Sequence, residues 1–453
     1  MLKIFGTDGV RCKVNQEPMT ADTCLKIAKV AGYLLTKKAL KKNRVVISKD
    51  TRLSGYLFEP LITSGFVSMG MDVVLVGPLP TPALPMLIKS LRADIGVMIT
   101  ASHNTYEYNG LKFFDATGNK ISKALEKKIE NIINNHVQYN KISKLSYESG
   151  KAYRLEDAKG RYLEYLKSTL NKKINLKKFR VVLDCGNGAT YHIAPTLFWE
   201  LGCETISIND RPDGRNINKK CGAVDTKDLS KKILNTKADI GFAFDGDGDR
   251  LIAVDERGVE VDGDKIIALF AKNYLKTKQL KKKTVVTTLM SNLGLENYLK
   301  QDLKINLIRT KVGDINVISE MQKKSYNLGG EQSGHIILGN YLNTGDGILA
   351  ALKIIEIMSL TKKKASKLFD LYKQFPQIKI NLPIKKKLNT SFDTKLKKIL
   401  KNNELKNPNL RFLVRKSGTE PLVRILVEGR KKEGVIKASN DIKREIKKIL
   451  NVK

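Results

Sequence analysis

Phe244-Asp-Gly-Asp-Gly-Asp-Arg250 is the most telling stretch of the chain. Asp245, Asp247 and Asp249 alternate with glycines between two apolar, strand-like runs, 238–244 and 251–254. Three carboxylates on one short turn repel one another unless a cation sits among them. The glycines let the backbone curl until the oxygens converge. A set of hard oxygen donors favours Mg²⁺ over a softer metal. A bound Mg²⁺ in turn points to a phosphate as a remaining ligand. An EF-hand calcium loop is excluded, although Glu256 falls at its twelfth position. Its sixth position must be glycine and is Arg250 here, and strands rather than helices flank the turn.

Working outward, a coarse pattern repeats three times. Apolar, β-branched runs begin at Arg44 (RVVIS), Arg180 (RVVLD) and Thr284 (TVVTT), each followed by a polar or glycine-containing loop and then a helical pattern. Further strands are expected at 73–76, 94–99, 205–208 and 305–308, with helices at 21–41, 56–69, 159–170, 263–276 and 345–359. Strands alternating with amphipathic helices predict α/β domains with parallel sheets. The two prolines between Phe375 and Pro383 read as a boundary. Beyond it, a helix near 392–402, strands at 411–414 and 422–428, and a final helix from 431 to about 450 predict a smaller α+β module. The expected division is 1–152, 153–254, 255–372 and 373–453. It carries in turn a serine loop, the acidic loop, a sugar-type loop and a phosphate-type loop.

Composition narrows the class. A chain of 453 residues exceeds one compact core and fits three or four domains. No run approaches the roughly 18 apolar residues of a membrane span. The start, Met1-Leu-Lys-Ile-Phe-Gly, lacks the apolar core of a signal peptide. The five cysteines are scattered with no CxxC pair, so neither a disulfide framework nor a zinc site is expected. A cytoplasmic protein with no membrane partner follows. The net charge of +36 raises nucleic-acid binding as a rival function. The lysines are spread along the whole chain and aromatic residues do not interleave with them. No specific nucleic-acid partner is expected, and a small anionic substrate would gain some electrostatic steering.

Three further segments carry chemistry. Ile99-Thr-Ala-Ser-His-Asn104 follows a strand, so Ser102 lies where open α/β sheets place their sites. Ser102 beside His103 is readable as a nucleophile with its base or as a polar loop with capping hydroxyls. No G-x-S-x-G is present, and a phosphorylated Ser102 facing the aspartate-bound metal is the more coherent reading. Arg415-Lys-Ser-Gly-Thr-Glu-Pro-Leu-Val-Arg424 gathers Arg415, Ser417, Thr419 and Arg424 around a bend at Gly418. Guanidinium forks, hydroxyls and exposed amides suit a phosphate dianion, although a plain hairpin with two surface arginines has the same outline. Gly329-Gly-Glu-Gln-Ser-Gly-His335 brackets Glu331, Gln332 and Ser333 with small residues. Glu331 could accept hydrogen bonds from vicinal sugar hydroxyls. Without context, a polar turn is an equal reading.

Taken together, these segments resemble the α-D-phosphohexomutase superfamily. The opening Phe5-Gly-Thr-Asp-Gly-Val-Arg11 and the loops at 100–104, 245–250, 330–335 and 415–424 stand in that family's order across nearly the whole chain. Gln332 and the opening motif resemble its glucosamine branch more than the phosphomannomutase/phosphoglucomutase branch, which is the alternative. The resemblance implies four domains around a central cleft, three sharing one α/β topology, and allows a homodimer. It implies interconversion of glucosamine 6-phosphate and glucosamine 1-phosphate through phosphoserine and a 1,6-bisphosphate. The product would feed UDP-N-acetylglucosamine and peptidoglycan synthesis.

The resemblance also implies residue roles. Ser102 would carry the phosphoryl group, and Asp245, Asp247 and Asp249 with Ser102 would hold one Mg²⁺ per subunit. Arg11 and Arg250 would steady phosphoryl oxygens, with His103 and Lys112 in proton transfer and charge balance. Glu331 and Ser333 would bind sugar hydroxyls. Arg415, Ser417, Gly418, Thr419 and Arg424 would grip the distal phosphate. Thr105, Cys12 and Ile315 stand where the family usually has proline, glycine and arginine.

Overall fold

The computed structural model describes residues 2–6, 8–35, 43–145, 147–171, 174–384, 390–416 and 422–450. The strands are β1 (Val10–Lys13), β2 (Arg44–Lys49), β3 (Asp72–Pro78), β4 (Ile95–Ile99), β5 (Tyr108–Asp115) and β6 (Ala152–Arg154) in a first sheet. A second sheet holds β7 (Arg180–Asp184), β8 (Glu204–Ile208), β9 (Ile240–Phe244), β10 (Leu251–Asp255) and β11 (Glu260–Val261). A third holds β12 (Thr284–Thr288), β13 (Asn306–Thr310), β14 (Leu328–Gly330) and β15 (Ile336–Leu338). β16 (Gln377–Pro383), β17 (Leu410–Lys416) and β18 (Leu422–Gly429) form the last.

The first three sheets share one four-stranded unit. In spatial order it runs β5-β4-β2-β3, β10-β9-β7-β8 and β15-β14-β12-β13. Its inner strands are the three repeats RVVIS, RVVLD and TVVTT, and they are almost entirely buried, as two-sided coverage by helices requires.

The sheets are mixed, not wholly parallel as the sequence predicts. In each unit the last strand runs antiparallel to its neighbour: β4 with β5, β9 with β10, β14 with β15. The connections span only 100–107, 245–250 and 331–335. A parallel return needs a crossover of about a dozen residues or more, so a short loop forces the strand to double back. Those three short loops are the serine, acidic and sugar-type segments. All three therefore sit at the carboxyl ends of β4, β9 and β14, the end at which such sheets place their chemistry.

The fourth domain is an antiparallel sheet in the order β16-β18-β17, packed under helices Thr390–Lys406 and Lys432–Leu450. The two prolines read as a boundary at 375–383 bracket its edge strand β16, the first element of the fourth domain. Pro383 ends that strand and Pro376 precedes it. β16 bonds only to β18, so no second neighbour misses a proline N–H. The helix predicted at 21–41 runs Ala21–Leu35, and 36–42 lie outside the described residues. No helix among the described residues is long and apolar enough to cross a membrane.

One hydrophobic core runs through the first three domains, from Val46 and Leu87 through Phe198 and Phe242 to Leu299 and Ile355. The fourth domain has a separate core around Phe412, Val427 and Ile442. Helix Gly347–Thr361, buried along most of its length, packs against β10 of the second sheet and β15 of the third. Asp346 caps it through Leu349 N–H at 2.9 Å and accepts the Tyr162 hydroxyl at 2.8 Å. Both side chains are buried. Removing one partner of a buried hydrogen bond strands the other. Tyr162→Phe should therefore lower unfolding stability by about 1–3 kcal/mol in urea titration. A loss below a few tenths would show that the Tyr162–Asp346 pair contributes nothing to the joint.

Candidate active site

The β4–β5 loop presents Ser102 in the left-handed region, at φ 50°. A non-glycine residue adopts this at a cost of about 1–2 kcal/mol, so its surroundings must hold it there. Ser102 is buried, and its Oγ donates to Asp245 Oδ2 at 2.8 Å across the interface of the first two domains. His103 Nδ1 lies 3.4 Å from the same Oγ. The cations Arg250 and, after burial, Arg11 push the His103 imidazole down to about 2, so the ring is neutral at physiological pH.

Asp245, Asp247 and Asp249 occupy the turn of the β9–β10 hairpin, and each offers an oxygen within 4.8 Å of the others. All three are buried. Burial, then Asp249 and Asp247, push the Asp245 carboxyl well above its ordinary value. Asp249 moves the other way: burial opposes ionisation, but Lys112, His335 and Arg250 overcome it. Lys112 Nζ binds Asp247 Oδ2 at 2.8 Å and Asp249 Oδ2 at 3.1 Å. Burial alone would discharge this lysine, but Asp247, Asp249 and Asp8 hold its pKa well above normal. Thr81 Oγ1 donates to Asp247 Oδ2 at 2.5 Å. Asp247 Oδ1 and Asp249 Oδ1 remain buried without a hydrogen-bond partner among the described residues. Two orphaned anionic oxygens beside a third carboxylate fit a hard divalent cation.

The β14–β15 loop closes over this turn. Leu251 N–H donates to Gly334 O at 2.9 Å, and Gly347 N–H to Gly248 O at 3.0 Å. Glu331 is buried, with Oε1 accepting Gly313 N–H at 3.1 Å. His335 Nδ1 stands 3.7 Å from Asp249 Oδ1, while Gly345 N–H donates to its Nε2 at 3.1 Å. Gln332 reaches the fourth domain: Lys379 Nζ donates to its Oε1 at 2.8 Å.

In the fourth domain Arg415 and Arg424 face each other directly across β17 and β18. Like charges in that position repel unless an anion bridges them. Burial, then Arg424, hold the Arg415 pKa below its usual value. Ser417, Gly418 and Thr419 lie outside the described residues. A cleft of about 1000 Å³ is lined from all four domains, by Arg11, Ser102, Arg250, Glu331, Ser333 and the Arg415–Arg424 pair among others.

Four family models match in succession. Domains I, II and III of the phosphoglucomutase/phosphomannomutase α/β/α architecture cover residues 2–140, 160–258 and 262–375, and its C-terminal domain covers 378–445. The chain belongs to the phosphoglucomutase/phosphomannomutase family. Among members of this family, the phosphoglucosamine mutase of Thermodesulfovibrio yellowstonii is 48% identical over 94% of this chain and 95% of its own. That of Pelobacter propionicus is 44% identical over the full length of both. A solved phosphoglucomutase/phosphomannomutase family protein from Burkholderia thailandensis superposes with a TM-score of 0.81 at 24% identity, covering 99% of this chain and 98% of that one.

Several residues of this phosphohexomutase site escape a motif reading. His335 lies inside a quoted motif, yet nothing local marks it as facing Asp249. Asp8 and Lys120 pair at 2.5 Å, and Lys120 also pairs with Asp314, joining the first and third domains. A signal for them did exist. Asp8 sits in the opening motif, and Asp314 follows Gly313 as the first residue of helix Asp314–Lys324.

Gly246 shows how tightly the loops meet. A methyl there would stand 2.7 Å from Ser102 O and 2.6 Å from Asn218 Nδ2. Gly246→Ala should part the serine loop from the acidic loop and cut kcat by about a hundredfold, the scale of a 1 Å misplacement. Steady-state kinetics showing wild-type kcat would contradict this contact.

Proposed function

We propose that the chain interconverts glucosamine 6-phosphate and glucosamine 1-phosphate through a phosphoryl group carried on Ser102. The observation that carries the reading is the 2.8 Å contact between Ser102 Oγ and Asp245, made inside a cleft whose other end holds the Arg415–Arg424 pair. Relatives sharing 44–48% identity over nearly their whole length bear the name phosphoglucosamine mutase, which favours glucosamine phosphates over mannose or glucose phosphates. The five cysteines are free and four are buried, which fits a cytoplasmic setting.

Asp245, Asp247 and Asp249 would hold one Mg²⁺ per subunit together with the Ser102 phosphate. Bound there, the ion would neutralise phosphoryl charge and make phosphorus more electrophilic. The remaining steps belong to the chain. The Arg415–Arg424 pair, with Ser417, Gly418 and Thr419, grips the phosphate that is not reacting, while Glu331 and Ser333 hold sugar hydroxyls. The substrate 1-hydroxyl attacks phosphorus, and the bond from phosphorus to Ser102 Oγ breaks as the bond to O1 forms. The hydroxyl proton must reach the departing serine oxygen. Neutral His103, 3.4 Å from that oxygen, is placed to pass it on. Arg11 and Arg250 balance charge on the phosphoryl oxygens in flight, and Lys112 balances charge at Asp247 and Asp249. The bisphosphate then turns over, its 6-phosphoryl returns to Ser102, and glucosamine 1-phosphate leaves.

One dianion clamp serves both orientations of the sugar because it recognises only a phosphate. The separate core of the fourth domain lets it follow the turning sugar without unpacking the other three.

Ser102→Ala should keep the fold and abolish turnover, and the wild-type protein should show one phosphate by intact mass, mapped to Ser102. Glucosamine 6-phosphate should be the best substrate beside glucose and mannose 6-phosphates. Normal turnover by the alanine variant, or a clear preference for mannose, would overturn the assignment.

A further inference from the structure

The segment Asp50-Thr-Arg-Leu53, just beyond β2, faces two ways with alternate residues. Thr51 Oγ1 donates to Asn187 O at 2.5 Å and Leu53 N–H to Gly214 O at 2.9 Å, both on the second domain. Asp50 and Arg52 face the serine loop instead. Arg52 is buried, and its Nε meets Asp50 Oδ2 at 2.9 Å. Its terminal nitrogens donate to three backbone carbonyls of the loop, Ser102 at 2.9 Å, Asn104 at 2.8 Å and Thr105, and to Tyr108 O at 3.0 Å at the start of β5. Asp50 Oδ2 also accepts Thr100 Oγ1 at 2.6 Å, and Thr100 Oγ1 accepts Ser102 N–H at 2.9 Å. From the second domain, Asn218 Nδ2 donates to two of the same carbonyls, Ser102 O at 2.8 Å and Asn104 O at 2.9 Å.

Asp50, Arg52 and Asn218 do not line the cleft, so they do not touch substrate there. Arg52 and Asn218 hold the carbonyl of the peptide that follows the left-handed Ser102, and Asp50 holds the N–H of the peptide before it through Thr100 Oγ1. Fixing both peptide planes fixes the direction of its Cβ, and therefore where Oγ points. Four carbonyls converging from the loop and the start of β5 need a planar fork carrying several N–H groups, which arginine supplies and lysine does not.

The geometry points to Arg52 and Asn218 as positioning residues for the phosphoryl-carrying serine, with Thr51 tying that position to the docking of the first domain on the second. The inference rests on Ser102 as the carrier. Substrate binding falls mainly to the third and fourth domains in this reading, so loosening the bracket affects the transfer step and spares ground-state binding.

The test compares Asn218→Gly and Arg52→Lys with wild type and Ser102→Ala, in the full chain, on glucosamine 6-phosphate primed with glucose 1,6-bisphosphate. Glycine is chosen because Asn218 itself has φ 56°. Both variants should lose about ten- to a hundredfold in kcat with KM within about threefold. Acquisition of phosphate by Ser102, followed by intact mass, should slow by a similar factor. Wild-type kcat in Asn218→Gly, or a loss carried by KM alone, overturns the inference, and that variant decides alone if Arg52→Lys fails to fold. An active Ser102→Ala would instead sink the phosphoserine reading beneath it, a result distinct from a normal Asn218→Gly beside an inactive alanine variant.

Discussion

The structure depends on one electrostatic constraint: three buried carboxylates held within 4.8 Å of one another. An isolated buried charge costs several kcal/mol even after relaxation, and like charges at this spacing add to the cost. The chain meets part of it with Lys112, which binds two of the three, and with Arg250 and His335 at ion-pair range. Asp247 Oδ1 and Asp249 Oδ1 still accept no hydrogen bond among the described residues. Such an arrangement stores affinity for a cation, and it places that affinity 2.8 Å from a seryl hydroxyl. Lys112 is itself buried only because the carboxylates are there. Neither sign of charge is stable without the other.

A repeated piece of topology delivers this constraint to one point. In each of the first three domains a short loop turns the chain back antiparallel at the carboxyl end of a central sheet, and each loop presents its residues to the same cleft. The shared core of those domains holds the loops in register, aided by a backbone bond from the sugar-type loop to β10 and by Lys120 between Asp8 and Asp314. The last domain repeats the device on an antiparallel sheet, where Arg415 and Arg424 face each other and line the same cleft. The cleft thus has a carboxylate-lined end and an arginine-lined end.

Much of this was legible in the sequence because its signals are local. The Asp–Gly alternation at 245–249 announces convergent oxygens, and RVVIS, RVVLD and TVVTT announce the inner strands of three like domains. The antiparallel returns were not read, because strand direction depends on loop length, and the site loops looked like features after strands rather than between them. The prolines at 375–383 coincide with the start of the fourth domain, yet they do not exclude a strand. Proline excludes a strand from a sheet interior, not from its edge, and β16 is an edge. Arg52 and Asn218 left no trace in motif form. Their partners are backbone carbonyls of Ser102 and Asn104, which have no residue identity to read and lie 50 to 116 residues away.

The phosphoryl transfer proposed for the cleft requires a divalent ion shared by Ser102 and the aspartate trio. Its most direct test is an anomalous diffraction map from crystals of the phosphorylated protein soaked in Mn²⁺. One peak bonded to Asp245, Asp247, Asp249 and the Ser102 phosphate is the expected result. A peak that shares no ligand with Ser102, or a metal held elsewhere in the cleft with the trio bare, would contradict it.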